Sequence, residues 1–330
     1  MKHILRILLV LFILLSFCSC AFIPQAVPTQ NAYLHIKEID HCVVEPDDKL
    51  YMTDDDNSHY RSLMDGMLNR KEYVELSNDQ DKNEYYIDLL MQSPYFFFVD
   101  EYELLENGVA FTYKYSEKEQ SEMLSFIDTQ LLNIVNANAS KDDNNLDKIL
   151  NVHGAVARKM TYDHEREDNK QLGSPLFKYP DDEIYKALKD EKSLCYGFAY
   201  TLRFALLQLD IDCFCVYGKC TYRNEGHMWN IFKYNDEFFT CDSAWDRSDD
   251  GYAQLSHFGK TDEERKVDSL KEREFSSTFF EQYGEIECTD TRFKDFRSIN
   301  RYTFVNPHTY YMEDIKGNEF IYSTQTQTLE

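Results

Sequence analysis

The chain has 330 residues, enough for one large domain or two small ones with a buried core. Its 35 basic residues face 59 acidic ones, a net charge of −24, and such a balance excludes the basic footprint that nucleic-acid binding requires. Aromatic residues reach 15%, mostly Tyr and Phe, so the body is too apolar for general disorder.

Lys2, His3 and Arg6 form a basic head ahead of the apolar run 7–15, which is short for a bilayer span but has the length of a signal-peptide core. The run closes on Ser16-Phe17-Cys18-Ser19-Cys20. A cysteine just after an apolar core and behind a small residue resembles the lipobox of bacterial lipoproteins. That resemblance implies a signal peptide over residues 1–20, lipidation at Cys20, and a body held at the membrane on its extracytoplasmic side. An ordinary cleaved signal peptide or an uncleaved anchor is the alternative, and either one also exports the body. Of the nine cysteines, Cys18 and Cys20 go with the leader. Cys42, Cys213, Cys215, Cys220, Cys241 and Cys288 are irregularly spaced, which reads as buried small hydrophobes rather than a disulfide framework.

Residues 21–45 carry two prolines and little periodicity and read as a tether. Residues 46–140 read as a small N-terminal α/β region. Within it, the β-rich runs 94–100 and 109–115 are joined through Glu106-Asn107-Gly108, a hairpin signal. Met123, Phe126, Ile127, Leu131 and Ile134 then predict a helix over 121–134. The polar run 136–145 marks a seam. A second helix is predicted from Asn145, with Leu146, Ile149, Leu150, His153, Val156, Ala157 and Met160 on one face, and it ends before Tyr162. His153 on that face reads as a core histidine. The stretch 165–180 is loop-like, with Gly173, Pro175 and Pro180, and the charges of 163–168 read as solvated. A short helix carries Ile184, Tyr185 and Leu188.

The chemistry concentrates further on. Ser193 is placed to cap a helix whose buried stripe is Phe198, Leu202, Ala205, Leu206 and Leu209. Cys195 then falls in the first turn, where free backbone N–H groups and the helix dipole favour a thiolate. Gly197, just inside, permits a close approach by a neighbouring segment or a substrate. After a strand at 211–218, the runs 226–234 and 237–242 flank Asn235-Asp236 as a hairpin. A two- or four-residue loop puts Asp242 opposite Trp229 and diagonal to His227, about 7–8 Å between Cα atoms and within side-chain reach. A three-residue loop would turn Asp242 to the other face. A thiol, an imidazole and an orienting carboxylate are the parts of a nucleophilic triad.

Leu194-Cys195-Tyr196-Gly197-Phe198-Ala199-Tyr200, Gly226-His227-Met228-Trp229-Asn230 and Thr240-Cys241-Asp242-Ser243-Ala244-Trp245-Asp246 resemble the three motif blocks of the transglutaminase-like superfamily. The likeness covers residues 144–258. It implies an α+β, papain-like core over 141–260, with the Cys-bearing helix packed on an antiparallel sheet that bears His and Asp. Residues 261–330 are then a C-terminal extension. It further implies Cys195 as nucleophile, His227 as general base and acid, and Asp242 as the orienting residue. Met228 and Ser243-Ala244 depart from the Ala and Pro-Thr common in the family, and neither change removes a catalytic group.

Trp229 and Trp245 read as walls of the site. One oxyanion donor is the Cys195 backbone N–H, and the candidates for a second are Tyr185, Tyr162 and Gln171. Asn230 reads as a strand residue with local hydrogen bonds. Cys213, Cys215, Cys220 and His227 lack a compact paired spacing, so no metal and no organic cofactor is called for. The expectation is an exported, cysteine-dependent acyl-transfer enzyme acting on a protein or peptide at the cell surface. The alternative is a non-catalytic surface-binding module that keeps the fold.

Overall fold

The helices that follow Ser116, Asn144 and Thr261 begin at side-chain caps. In the computed structural model, which describes residues 36–42, 54–91, 93–168, 183–220, 225–267, 270–274 and 286–330, helices alternate with largely antiparallel sheets in an α+β arrangement. The leader, Cys20 and Gln171 lie outside the described residues. Among the described residues, no helix is long and apolar enough to cross a membrane.

The first part comprises α1 (Asp54–Leu68), β1 (Tyr73–Glu75), α2 (Gln80–Met91), β2 (Val99–Leu105) and β3 (Gly108–Tyr113), with the strands in the order β1-β3-β2. The predicted hairpin turns at Glu106-Asn107, with Leu105 opposite Gly108. Its first strand begins at Val99 rather than near Pro94, because Phe96–Phe98 forms a 3-10 turn. Phe97 and Phe98 are both buried and both meet Tyr115 edge-on. Two consecutive inward side chains do not suit a strand, whose side chains alternate between faces.

Helix α3 (Glu117–Asn138) starts four residues before the predicted 121, because Ser116 and Glu119 close a capping box. Asn144 and Asp147 do the same for α4 (Asn145–Lys159), whose predicted apolar face is buried throughout. Then follow β4 (Thr161–Tyr162), α5 (His164–Asp168), α6 (Glu183–Asp190) and β5 (Lys192–Ser193), with β4 and β5 pairing in parallel. Helix α7 (Cys195–Leu207) differs from the one-sided stripe expected of it. Every residue except Tyr200 is buried, because α3, α4 and α6 pack around it and the main sheet covers another side. Its one arginine, Arg203, donates through Nε to the Cys213 carbonyl at 3.1 Å.

The main sheet holds β6 (Cys213–Cys220), β7 (Glu225–Tyr234), β8 (Glu237–Cys241) and β9 (Leu270–Glu274) in the order β8-β7-β6-β9. Asn235 and Asp236 form the two-residue turn between β7 and β8, with φ of 51° and 62°. Left-handed backbone at both positions matches the twist of the flanking strands. Pairing therefore starts at Tyr234 and Glu237 and runs out to Asn230 and Cys241, as the two-residue loop predicts. One face of the sheet packs on α7; on the other, Phe214, Val216, Trp229 and Ile231 enclose a second core with Ile286 and Cys288.

Beyond 260 come α8 (Asp262–Val267), β9, a 3-10 turn (Lys294–Ser298), and an antiparallel meander of β10 (Ile299–Asn306), β11 (Thr309–Asp314), β12 (Glu319–Ser323) and β13 (Thr328–Leu329). The boundary expected at 260 thus falls inside the main sheet, whose fourth strand is β9. The meander is bound to α4: Tyr302 donates to the Leu150 carbonyl at 2.8 Å, and Thr324 to Asp147 at 2.7 Å. Residues 36–42, inside the stretch read as a tether, are docked. The Asn136 side-chain amide exchanges two hydrogen bonds with the Ile36 backbone, and that of Gln208 does so with Asp40. Buried apolar side chains from Ile39 to Tyr322 form one continuous cluster.

Candidate active site

Cys195 is the first residue of α7 and is 6% exposed. The residue that caps the helix is Leu194, not Ser193 as the sequence predicts. Ser193 is committed to β5, where its carbonyl accepts from the Asp163 N–H at 2.9 Å. Its side chain lies over Gly197, where a Cβ would collide with Ser193 Oγ and Ala187. The close approach expected at this glycine is therefore made by the protein itself. Leu194 makes no side-chain hydrogen bond to the helix, its carbonyl accepts from the Gly197 N–H at 3.2 Å, and the helix dipole at this end favours an anion at Cys195.

His227 and Asp242 meet across the hairpin as the register requires. His227 Nε2 is 2.7 Å from Asp242 Oδ2, and the two residues are 4% and 1% exposed. Asp242 Oδ2 also accepts from Arg265 Nη2 at 3.0 Å, while Oδ1 accepts from the Trp245 N–H at 3.1 Å. Burial alone would push this carboxyl up; the charge and hydrogen bond of His227, together with Arg265, hold it well below the usual carboxylate range. Burial likewise opposes a proton on His227. The charge and hydrogen bond of Asp242, with a further hydrogen bond to Cys195, override it and push His227 up to about 10. With Nε2 engaged by Asp242, Nδ1 is the ring nitrogen left for the thiol.

Both tryptophans line this group. The His227 ring stacks on Trp245 at 4.4 Å and 20°, and on Trp229 at 6.2 Å and 18°. Tyr162 stacks on Phe198 of α7 at 6.4 Å, which brings it to the start of the helix that carries Cys195. The Tyr185 ring meets Phe126 of α3 edge-on at 5.5 Å, with the Lys189 ammonium over it at 5.1 Å. The Asn230 bonds are long-range rather than local. Its Nδ2 donates to the Ala199 carbonyl on α7 at 3.0 Å and to the Phe214 carbonyl at 3.3 Å, clamping helix to sheet.

A second buried cluster sits four residues on. Asp246 is fully buried; its Oδ1 accepts from the His257 N–H at 2.8 Å and Ser256 Oγ at 3.2 Å, and its Oδ2 lies 3.3 Å from His153 Nε2. His153 is the buried core histidine the helix pattern predicts. Its Nδ1 donates to Tyr302 Oη at 3.1 Å, and Tyr302 donates onward to Leu150. Cys42, Cys195, Cys213, Cys215, Cys241 and Cys288 form no disulfide, and all are buried except the half-buried Cys215. Among the described residues, no group of three or more His, Cys, Asp or Glu is placed to hold a metal.

Arg265 is the site residue that sequence reasoning missed. The spacing Thr261-Asp262-Glu263-Glu264 marks a helix start, but a run of charges gives no sign that one of them points inward.

No protein-family model matches the chain, and no curated protein matches it in sequence. Among solved structures it is similar to a TGase (transglutaminase), at 17% identity and TM-score 0.32 over 57% of this chain and 54% of that one. It is also similar to a chain from Cytophaga hutchinsonii proposed to be a cysteine protease, at 13% identity and TM-score 0.28 over 42% and 45% of the two chains. The chain thus spans about half the length of these two structures.

Proposed function

We propose that this protein is a transglutaminase-like acyl-transfer enzyme that works through Cys195, His227 and Asp242. The observation that carries the proposal is the ordered contact from thiol to imidazole to buried carboxylate, with the thiol at a helix N-terminus. The Cys195 thiolate attacks an amide carbonyl carbon, and the oxygen takes the negative charge beside the Cys195 N–H. As the C–N bond breaks, the His227 imidazolium gives its proton to the departing amine, leaving a thioester. Water or a second amine then attacks the thioester carbonyl, giving its proton to His227 and expelling the thiolate. Asp242 stays ionised throughout and holds the ring.

Peptide hydrolysis and cross-linking share these steps and differ only in the second nucleophile. The leader motif supports export and a lipid anchor on Cys20, which would present the site to proteins or peptides at the cell surface. The test is labelling with a thiol-reactive amide probe. Wild type is expected to label at Cys195, and His227→Ala is expected to lose that labelling. Equal labelling of the two proteins, or none at Cys195, would leave a surface-binding module as the reading.

A further inference from the structure

We infer that Arg265 is a positioning residue of this triad: its guanidinium is the second cation on Asp242 and limits how tightly that carboxylate holds the His227 proton. The inference rests on the acyl-transfer reading above. Three donors from three elements fix the carboxylate: His227 Nε2 from β7, the Trp245 N–H from the loop after β8, and Arg265 Nη2 from α8. Two of them end on the same oxygen. The guanidinium lies 4.9 Å from the Trp229 ring and 5.1 Å from the Trp245 ring, the same two indoles on which His227 stacks. Imidazole and guanidinium are therefore held against common aromatic walls and share one negative charge. A buried carboxylate that serves two cations attracts each one's proton less than it would attract a single partner.

Arg265 is itself held from the C-terminal part of the chain. Helix α8 is fixed by a capping box in which Thr261 Oγ1 accepts from the Glu264 N–H at 3.2 Å and Glu264 Oε2 accepts from the Thr261 N–H at 2.8 Å. Both Glu264 oxygens are then gripped by Arg297, at 2.9 and 2.8 Å. Arg297 also donates to the carbonyls of Phe258, Gly259 and Phe293. Lysine could restore the charge at 265, but it lacks the flat fork that fits between indoles and carboxylate.

Among the described residues, the titratable and charged groups coupled to the His227–Asp242 pair are Cys195 from α7, Cys241 from β8, His257 from the loop beyond it, and Arg265. The test is a pH titration of His227 by NMR of histidine-labelled protein in a Cys195→Ser background, which removes the coupled thiol; His227→Ala assigns the signal. Arg265→Gln is expected to raise the His227 midpoint by about one pH unit, the scale of one lost neighbouring charge. Arg265→Lys is expected to return it most of the way, and His257→Asn to leave that difference in place. A midpoint that stays or falls in a folded Arg265→Gln protein overturns the inference, as does failure of the lysine variant to return it. Should Arg265→Gln not fold, Glu264→Gln loosens α8 while keeping the guanidinium; a partial rise supports the inference and an unmoved midpoint overturns it. Iodoacetamide labelling of Cys195 in otherwise wild-type protein separates the two levels. Labelling that ignores His227 removes the acyl-transfer reading itself, whereas His227-dependent labelling with an unmoved midpoint removes only the role of Arg265.

Discussion

Two buried histidine–aspartate pairs lie side by side in this protein, and only one of them faces a nucleophile. Asp242 and Asp246 occupy one short loop, both fully buried and both held below the usual carboxylate range against the pressure of burial. His227 has a carboxylate on one ring nitrogen and Cys195 towards the other. His153 instead has Tyr302, which passes its own proton to a backbone carbonyl, and the chain of hydrogen bonds ends there. The difference lies not in residue type or burial but in what stands on the far side of the ring. One pair serves a thiol at a helix N-terminus; the other ties α4 to the loop that carries the first.

Substitutions should separate the two pairs. His227→Ala is expected to cut Cys195 reactivity toward an amide probe by about 10³-fold, while His153→Gln keeps it within about threefold, both read as labelling rates. Asp242→Asn is expected to lower that rate by about 10²-fold or more, because a side-chain amide can neither balance the imidazolium nor enforce the tautomer. Asp246→Asn should act on stability instead, costing about 3 kcal/mol in denaturant unfolding as a buried charge network is broken. Thr261→Ala is expected to cost about 1 kcal/mol, the scale of one helix cap, with a smaller effect on labelling.

Stability should also follow pH in a way that reports the first pair. His227 is raised from 6.5 to about 10, so its contribution is complete below 6.5 and is lost as pH rises through about 10. Asp242 is depressed from 3.8, so its contribution is present above 3.8 and is lost as pH falls below that value. Melting temperature against pH should therefore fall at both extremes in the wild type. The alkaline decline is expected to shrink in His227→Ala.

The sequence made the hairpin legible because Asn235-Asp236 admits left-handed backbone and period-two pairing follows from the turn alone. The first-turn position of Cys195 was legible too, since a buried helical stripe begins there. What stayed hidden depends on tertiary contact. Ser193 looks like a cap, but a competing strand pair takes it one residue too early. Phe97 and Phe98 look like strand residues until both must be buried at once. Asn230 and Arg265 are ordinary polar letters whose partners lie 31 and 23 residues away. The meander beyond 299 is attached to α4 through Tyr302, Tyr310 and Thr324, each contact spanning more than 150 residues of chain.

The most direct test is the rate of Cys195 alkylation by iodoacetamide between pH 5 and 9 in wild type and His227→Ala. A thiol paired with an imidazolium should react readily near pH 6, where an unassisted thiol is largely protonated, and His227→Ala should lose that low-pH reactivity. Reaction confined to alkaline pH, and alike in both proteins, would contradict a working triad.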